Sequence, residues 1–349
     1  MERGSPFQLE CPLPLDEYPH VLLAHGGGGR LMHMLLERLF FPALGSSGDH
    51  DGALLEVGGV RLAFTTDAFV VSPWRFPGGD IGSLAVHGTV NDLAACGARP
   101  LALATAFILE EGFPVESVWE VARSAGEAAT RVGVPVVTGD TKVVDRGKGD
   151  GIFVITTGVG VVPEGVDVAP ARARPGDVIV INGFIADHGI AIMSVREGLA
   201  FETTLQSDSA PLHDLVAAVL EVARGQVHVM RDPTRGGVAT ALNEIARVAG
   251  VGIELDEASL PVRPEVQGAC ELLGLDPLYV ANEGKMLFVI APDVAEHVLE
   301  AMRGHPLGQD AAVIGRVVDE HPGRVVMRSR IGGRRVVDVL SGEQLPRIC

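Results

Sequence analysis

A chain of 349 residues with 47% hydrophobic but only 5% aromatic content is long enough for about two domains with aliphatic cores. Its net charge of −17, with no block of clustered Lys or Arg, argues against a nucleic-acid partner, so a bound polyanion such as ATP needs a divalent metal in between. Cys11, Cys96, Cys270 and Cys349 form no CxxC pair, which indicates neither a zinc site nor a disulfide framework and fits a reducing, cytosolic setting. Met1 to Glu10 lacks a basic region followed by an apolar run, and no later stretch holds about 18 consecutive apolar residues, so neither secretion nor membrane insertion is supported.

In chain order, Val21 to Ala24 reads as a strand, His25 to Gly29 as a glycine loop and Arg30 to Phe41 as a helix; residues 1–42 form a glycine-rich N-terminal segment. Ala53 to Val57 and Val60 to Thr66 form a hairpin across Gly58-Gly59. Helices follow at Leu84 to Ala95 and Val115 to Val132, with strands at Leu101 to Leu109, Val134 to Thr138 and Ile152 to Thr157. This α+β domain spans 43–162, and the proline-containing stretch 163–176 is the linker. A second α+β domain, 177–330, carries strands at Val178 to Asn182, Gly252 to Leu255, Met286 to Ile290, Ala312 to Val318 and Arg324 to Met327. Its helices lie at Pro211 to Ala223, Gly236 to Ala249, Pro264 to Leu273 and Val294 to Arg303, with Asp208 and Ser209 as the start signal of the first.

Residues 331–349 form a tail ending in a thiol. From Leu340 it extends to roughly 3.3 Å per residue, on the order of 30 Å, so Cys349 reaches into an active site like a swinging arm; a frayed terminus is the other reading. The Cys is the last residue, not the fourth from the end, so it is no prenylation signal.

Asp49, Asp51, Asp67, Asp92, Asp140 and Asp232 sit beside small residues at predicted element ends. Singly such an Asp is usually a turn or cap residue; together they are a set of hard oxygen ligands suited to Mg²⁺, with Asp67 and Asp140 placed just past buried strands. Arg231 to Gly237 opens an apolar helix, either as an anion-binding N-terminus with Gly236 and Gly237 or as a capped glycine-rich turn. The His25 to Gly29 loop covers phosphates or is a mobile surface loop; it matches neither familiar nucleotide fingerprint. Glu283, in Ala281 to Lys285, is a candidate base whose apolar surroundings raise its pKa, or an ordinary turn residue. His87 and His188 have no spacing that suggests a triad or a metal pair, and His87 reads as packed or capping.

Six segments carry a resemblance over nearly the whole chain: Phe76 to Gly82, Gly88 to Ala94, Thr138 to Val144, Arg231 to Gly237, Ala281 to Lys285 and above all Leu345 to Cys349. They resemble the HypE family of hydrogenase maturation factors, within the superfamily of aminoimidazole ribonucleotide synthetase, thiamine monophosphate kinase and selenophosphate synthetase. The aspartate motifs alone indicate the ATP-using superfamily; the terminal Pro-Arg-Ile-Cys separates the HypE family from its relatives. The resemblance implies a homodimer whose N-terminal sheets join into a barrel, with ATP and Mg²⁺ in clefts near that interface. It implies that the carbamoyltransferase HypF loads a carbamoyl group on Cys349 and that the protein dehydrates this S-carboxamide to an S-cyanate. The cyanide then passes through a HypC–HypD complex to [NiFe] hydrogenase iron. By the same resemblance, Asp49, Asp51, Asp67, Asp92, Asp140 and Asp232 hold the metal. Asp67, Asn91, Asp92, Asp140, Thr141, Asp232, Gly236 and Gly237 surround the nucleotide. Glu283 resembles the base, and Lys142 a partner of the thiocarboxamide or of phosphate. Asp51-Gly52-Ala53 departs from the more usual Asp-Ala-Ala and keeps the carboxylate. A small-molecule kinase or synthetase, and a thiol-presenting scaffold without turnover, are the competing readings.

Overall fold

A computed structural model describes residues 18–46, 50–198, 205–340, 345 and 347–349; Asp49 and Cys11 lie outside the described residues. The expected strand at Val21 to Ala24 is instead a 3-10 turn, Leu23–Gly26, because no neighbouring strand offers it a hydrogen-bond ladder. The expected helix is present as α1 (Arg30–Leu35), a π-helical stretch (Leu36–Phe40) and α2 (Phe41–Leu44). This segment lies along the C-terminal domain, where His33 Nε2 meets Glu244 Oε1 at 2.6 Å and Glu37 pairs with Arg247.

The N-terminal domain begins with β1 (Ala53–Val57) and β2 (Val60–Phe69), joined as expected across Gly58-Gly59 with Val57 opposite Val60. A small ribbon, β3 (Arg75–Phe76) and β4 (Gly79–Asp80), leads into α3 (Ile81–Ala95). Asp80 caps α3 by accepting hydrogen bonds from the Gly82 and Ser83 N–H groups at 2.7 and 3.1 Å. Then come β5 (Arg99–Glu110), α4 (Val115–Val132), β6 (Val136–Val144) and β7 (Ile152–Val161), giving a five-stranded sheet of order β1-β2-β7-β5-β6. Helices α3 and α4 cover one face, so β2 and β7 alternate between buried and open positions. The other face is bare and exposes Phe64 and Leu101; among the described residues no closed barrel forms.

Residues 163–176 are packed rather than free: Val168, Pro170 and Ala173 are buried, and the Ala169 N–H donates to the His228 carbonyl at 3.0 Å. The C-terminal domain runs β8 (Val178–Ile181), α5 (Asp187–Arg196), α6 (His213–Ala223), β9 (Val227–Arg231), α7 (Gly237–Ala249), β10 (Gly252–Asp256) and α8 (Pro264–Leu273). It closes with β11 (Leu287–Ile290), α9 (Ala295–Arg303), β12 (Ala312–Val318), β13 (Val325–Arg328) and β14 (Arg334–Val337). The sheet order is β14-β13-β10-β12-β8-β11-β9, with one aliphatic core under α7 and another under α6 and α9. Ala94 and Ala95 of α3 join the second core, which binds the two domains together.

Five elements are not expected from the sequence: β3 and β4, of two residues each, and α5, β9 and β14. β9 is buried along Val227 to Met230 and so shows no period-2 signal, and α5 carries scattered small residues. β14 resembled tail because of its two arginines, yet Val337 pairs with Val325 and Arg334 with Arg328, so the tail begins beyond this strand, not at residue 331. Asp208 and Ser209 do not start α6, which begins at His213. The Asp208 carboxylate instead meets Lys285 Nζ at 3.0 Å and accepts from the Glu283 N–H at 3.2 Å. Among the described residues no helix is long and apolar enough to cross a membrane, and Cys96, Cys270 and Cys349 are free thiols.

Candidate active site

Between the two domains lies a cavity of about 680 Å³. Met32, Leu36 and Phe41 of the N-terminal helical segment, with Ala241, Ile245 and Val248 of α7, make an apolar wall. Carboxylates gather at the opposite side. Asp51 comes from the turn before β1, Asp92 from α3 and Asp232 from the end of β9, and one oxygen of each lies within 4.8 Å of the others. Asp67, on β2, borders the same space.

One cation stands against this charge from the side of the wall. Arg231 Nη1 meets Asp51 Oδ1 at 2.5 Å while Nη2 meets Glu244 Oε2 at 2.6 Å. Thr65 Oγ1 donates to Asp92 Oδ2 at 2.8 Å, whereas the buried Asp51 Oδ2 has no hydrogen-bond partner. Burial, and then the neighbouring carboxylates, push Asp92 well above the usual carboxylate range. Asp232 rises to about 8 and Asp51 to about 6, in each case chiefly through burial. Buried, mutually repelling oxygens with one orphan among them fit a hard divalent cation such as Mg²⁺, held by Asp51, Asp92 and Asp232.

This has a measurable sign. A carboxyl group whose pKa is raised by folding stabilises the fold fully below its ordinary pKa and loses that contribution as pH rises, here through about 6 for Asp51 and about 8 for Asp232. Thermal unfolding in EDTA should therefore show stability draining through these groups as pH rises from about 4 to about 8, and added Mg²⁺ should raise Tm more at the higher pH. An equal Mg²⁺ increment at both pH values would rule the cluster out as the metal site.

The third side of the cavity is made by Arg235, Glu283 and the last residue of the chain, Cys349. Glu283 is buried, its Oε1 has no hydrogen-bond partner, and burial followed by Asp232 and Asp67 raises its pKa well above normal. Burial raises the Cys349 thiol pKa too; Glu283 adds to the rise and Arg235 opposes it. The tail is docked in the cleft of its own chain. The Val70 N–H donates to the main-chain oxygen of Cys349 at 2.9 Å and the Ser72 N–H to the Arg347 carbonyl at 3.2 Å. Arg347 Nε donates to the Val70 carbonyl at 3.0 Å and its guanidinium pairs with Asp150, while Ile348 is buried in a core with Phe69, Val71 and Ile81. The described end of the tail is therefore held in place rather than extended.

The glycine loop is packed, not free: Gly28 has φ +75°, and a Cβ there would lie 2.6 Å from the Arg235 carbonyl oxygen. Gly237 lets the start of α7 approach residues 278–280 and does not border the cavity, nor does Gly236, which faces a narrow crevice beneath Leu345 and Ile348. Asn91 is likewise turned to structure. Its Nδ2 donates to the Ala210 and Glu283 carbonyls, both at 3.0 Å, and its Oδ1 accepts from the Leu212 N–H at 2.8 Å, which uses the side chain up on backbone.

Asp140, Thr141 and Lys142 do not sit past a buried strand. They lie within exposed β6, where Lys142 Nζ meets Asp140 Oδ2 at 2.7 Å. Register explains their distance from the other aspartates. Asp67 pairs with Thr156, Thr156 with Thr105 and Thr105 with Gly139, so Asp140, one residue on, points to the opposite, bare face of the sheet. Asn282 is the supporting residue that sequence did not single out. Its Nδ2 donates to the Pro233 carbonyl at 2.8 Å and its Oδ1 accepts from the Ala186 N–H at 2.7 Å, tying the Asp232 and Glu283 loops together. The only available signal was an amide next to the candidate base Glu283, just before a strand.

Residues 49–162 match the AIR synthase related protein N-terminal domain and residues 174–328 the C-terminal domain of the same family. The chain is 56% identical to carbamoyl dehydratase HypE of Cupriavidus necator over 94% of each chain. Solved structures of a HypE–HypF complex and of HypE in complex with ATP are each 47% identical to it. They superpose with TM-scores of 0.83 and 0.80, over 88% and 95% of this chain and 99% and 100% of theirs. With two-domain fold, near-complete coverage and majority identity in agreement, the chain belongs to the HypE family of carbamoyl dehydratases.

Proposed function

We propose that this chain uses ATP to dehydrate an S-carbamoyl group on its own Cys349 to an S-cyanate, as a source of the cyanide ligands of [NiFe] hydrogenase iron. The observation that carries this is the seating of Cys349 in one cavity with Glu283, Arg235 and the Asp51–Asp92–Asp232 cluster. Mg-ATP, when bound, supplies the phosphoryl group that turns the amide oxygen into a leaving group. The chain does the rest. Asp51, Asp92 and Asp232 hold the metal, the apolar wall takes the base, and Arg235 faces the charge that develops beside the tail. Glu283 accepts protons from the carboxamide nitrogen, for which a raised pKa is suited. The packed tail keeps water from the carbon being converted.

Loading belongs to another state. The docked thiol is held protonated by burial and Glu283, so we infer that Cys349 leaves the cleft to receive its carbamoyl group from a HypF-type carbamoyltransferase. A HypE–HypF complex among the relatives supports such a partner, and a HypC–HypD-type complex is the proposed acceptor of the product. The free thiol fits the reducing cytoplasm. The bare sheet face, with Phe64 and Leu101 exposed, is the proposed homodimer surface, where a second copy completes a barrel and meets Asp140 and Lys142.

The test is the mass of the C-terminal peptide released by cleavage after Glu343. Incubation with HypF, carbamoyl phosphate and Mg-ATP should add a carbamoyl group and then remove one water, and Cys349→Ala should show neither. ATP consumption with an unmodified tail would point instead to a small-molecule kinase or synthetase.

A further inference from the structure

His188, on the first turn of α5, is fully buried and plays no part in the chemistry above. Its Nε2 lies 2.8 Å from the Ile348 carbonyl oxygen, one residue before the reactive thiol. A carbonyl only accepts, so Nε2 carries the proton and Nδ1 accepts from Ser207 Oγ at 2.7 Å. Ser207 is itself fixed: its Oγ accepts from the Ser209 N–H at 3.1 Å and its N–H donates to the Pro77 carbonyl at 2.8 Å. Phe76 packs edge-on against the ring, with centroids 5.6 Å apart. Burial lowers the ring's pKa, in keeping with a neutral imidazole of one tautomer.

The same turn is tied to the loop that carries Glu283. The Ala186 N–H donates to Asn282 Oδ1 at 2.7 Å and the Gly189 N–H to the Ala281 carbonyl at 3.1 Å. Donor and candidate base thus belong to one hydrogen-bonded unit. We propose that His188 is a positioning residue that registers the tail, its Nε2–H on the Ile348 carbonyl setting how Cys349 seats beside Glu283. This deepens the proposed function and rests on it.

Full-length variants test it with two readouts: the rate at which iodoacetamide alkylates Cys349, read from the peptide after Glu343, and the ATP-dependent loss of water from a carbamoyl-loaded tail. His188→Phe keeps a ring against Phe76 but removes the donor, and should alkylate about tenfold faster and dehydrate about tenfold slower. His188→Gln restores an N–H donor and should recover most of both. Ser207→Ala leaves the imidazole but frees Nδ1; a rise of a few-fold in alkylation is expected, which keeps the test alive if the Phe variant fails to fold. Unchanged alkylation in His188→Phe or in Ser207→Ala overturns the proposal, and so does a Gln variant as exposed as the Phe one. If the wild type fails to dehydrate its loaded tail while His188→Phe still speeds alkylation, the functional reading falls and the registration of the tail stands.

Discussion

Glu283→Gln should leave a protein that folds, binds Mg-ATP and accepts a carbamoyl group on Cys349, yet converts it to cyanate about 10²- to 10⁴-fold more slowly. The substitution preserves shape and leaves the backbone contacts of this loop, the Glu283 N–H to Asp208 and the Glu283 carbonyl to Asn91, in place. What it removes is a carboxyl group whose Oε1 has no hydrogen-bond partner and whose pKa is raised by burial and by Asp232 and Asp67. Such a carboxyl group ionises more readily once a metal offsets those neighbours, so wild-type conversion should rise with pH. Single-turnover mass spectrometry of a pre-loaded tail across pH measures both effects. Conversion within a factor of about two of wild type in the Gln variant would remove Glu283 from the role of base.

Asp232→Asn should act in two opposite directions. In EDTA it should raise Tm, because it replaces a carboxyl group that burial and Asp51 hold at about 8 with a neutral isostere and so relieves repulsion in the cluster. With Mg²⁺ it should lower metal affinity on the order of 100-fold or more, since loss of a direct ligand exceeds the effect of disturbing a ligand's neighbour. ATP-dependent dehydration should fall with it. A site that is stabilised by removing a charge and disabled by the same change is organised around a bound cation rather than around its own packing. Calorimetric titration with Mg²⁺ beside thermal unfolding separates the two effects. A drop in Tm in EDTA would show that the Asp232 charge serves packing and would sink the assignment.

Much of the architecture was legible because it depends on local pattern. The hairpin at Gly58-Gly59, the amphipathic helix Val115–Val132 and most strands of both domains follow from periodicity and turn residues. Elements without a pattern of their own were not: β9 is buried along nearly its whole length, and β14 is defined by pairing with β13 rather than by its two arginines. Asp208 looked like a helix cap and became the partner of Lys285, because tertiary contact outweighs a local capping preference.

At the site, Asp51, Asp67, Asp92, Asp232, Glu283 and Cys349 stand out by residue type and context, and they border one cavity. By itself, then, the sequence determined the family, the presence of a thiol at Cys349 and the set of carboxylates, since these are matters of which groups are present. Only the tertiary structure decided which of them meet. Strand register set Asp140 and Lys142 on the face opposite Asp67, hydrogen-bond geometry turned Asn91 and His188 toward backbone, and packing of Ile348 brought Cys349 beside Glu283. The reason is that side-chain direction in a sheet changes sign with every residue, and burial depends on neighbours far along the chain. Convergence in space is thus fixed by long-range pairing that no local window contains.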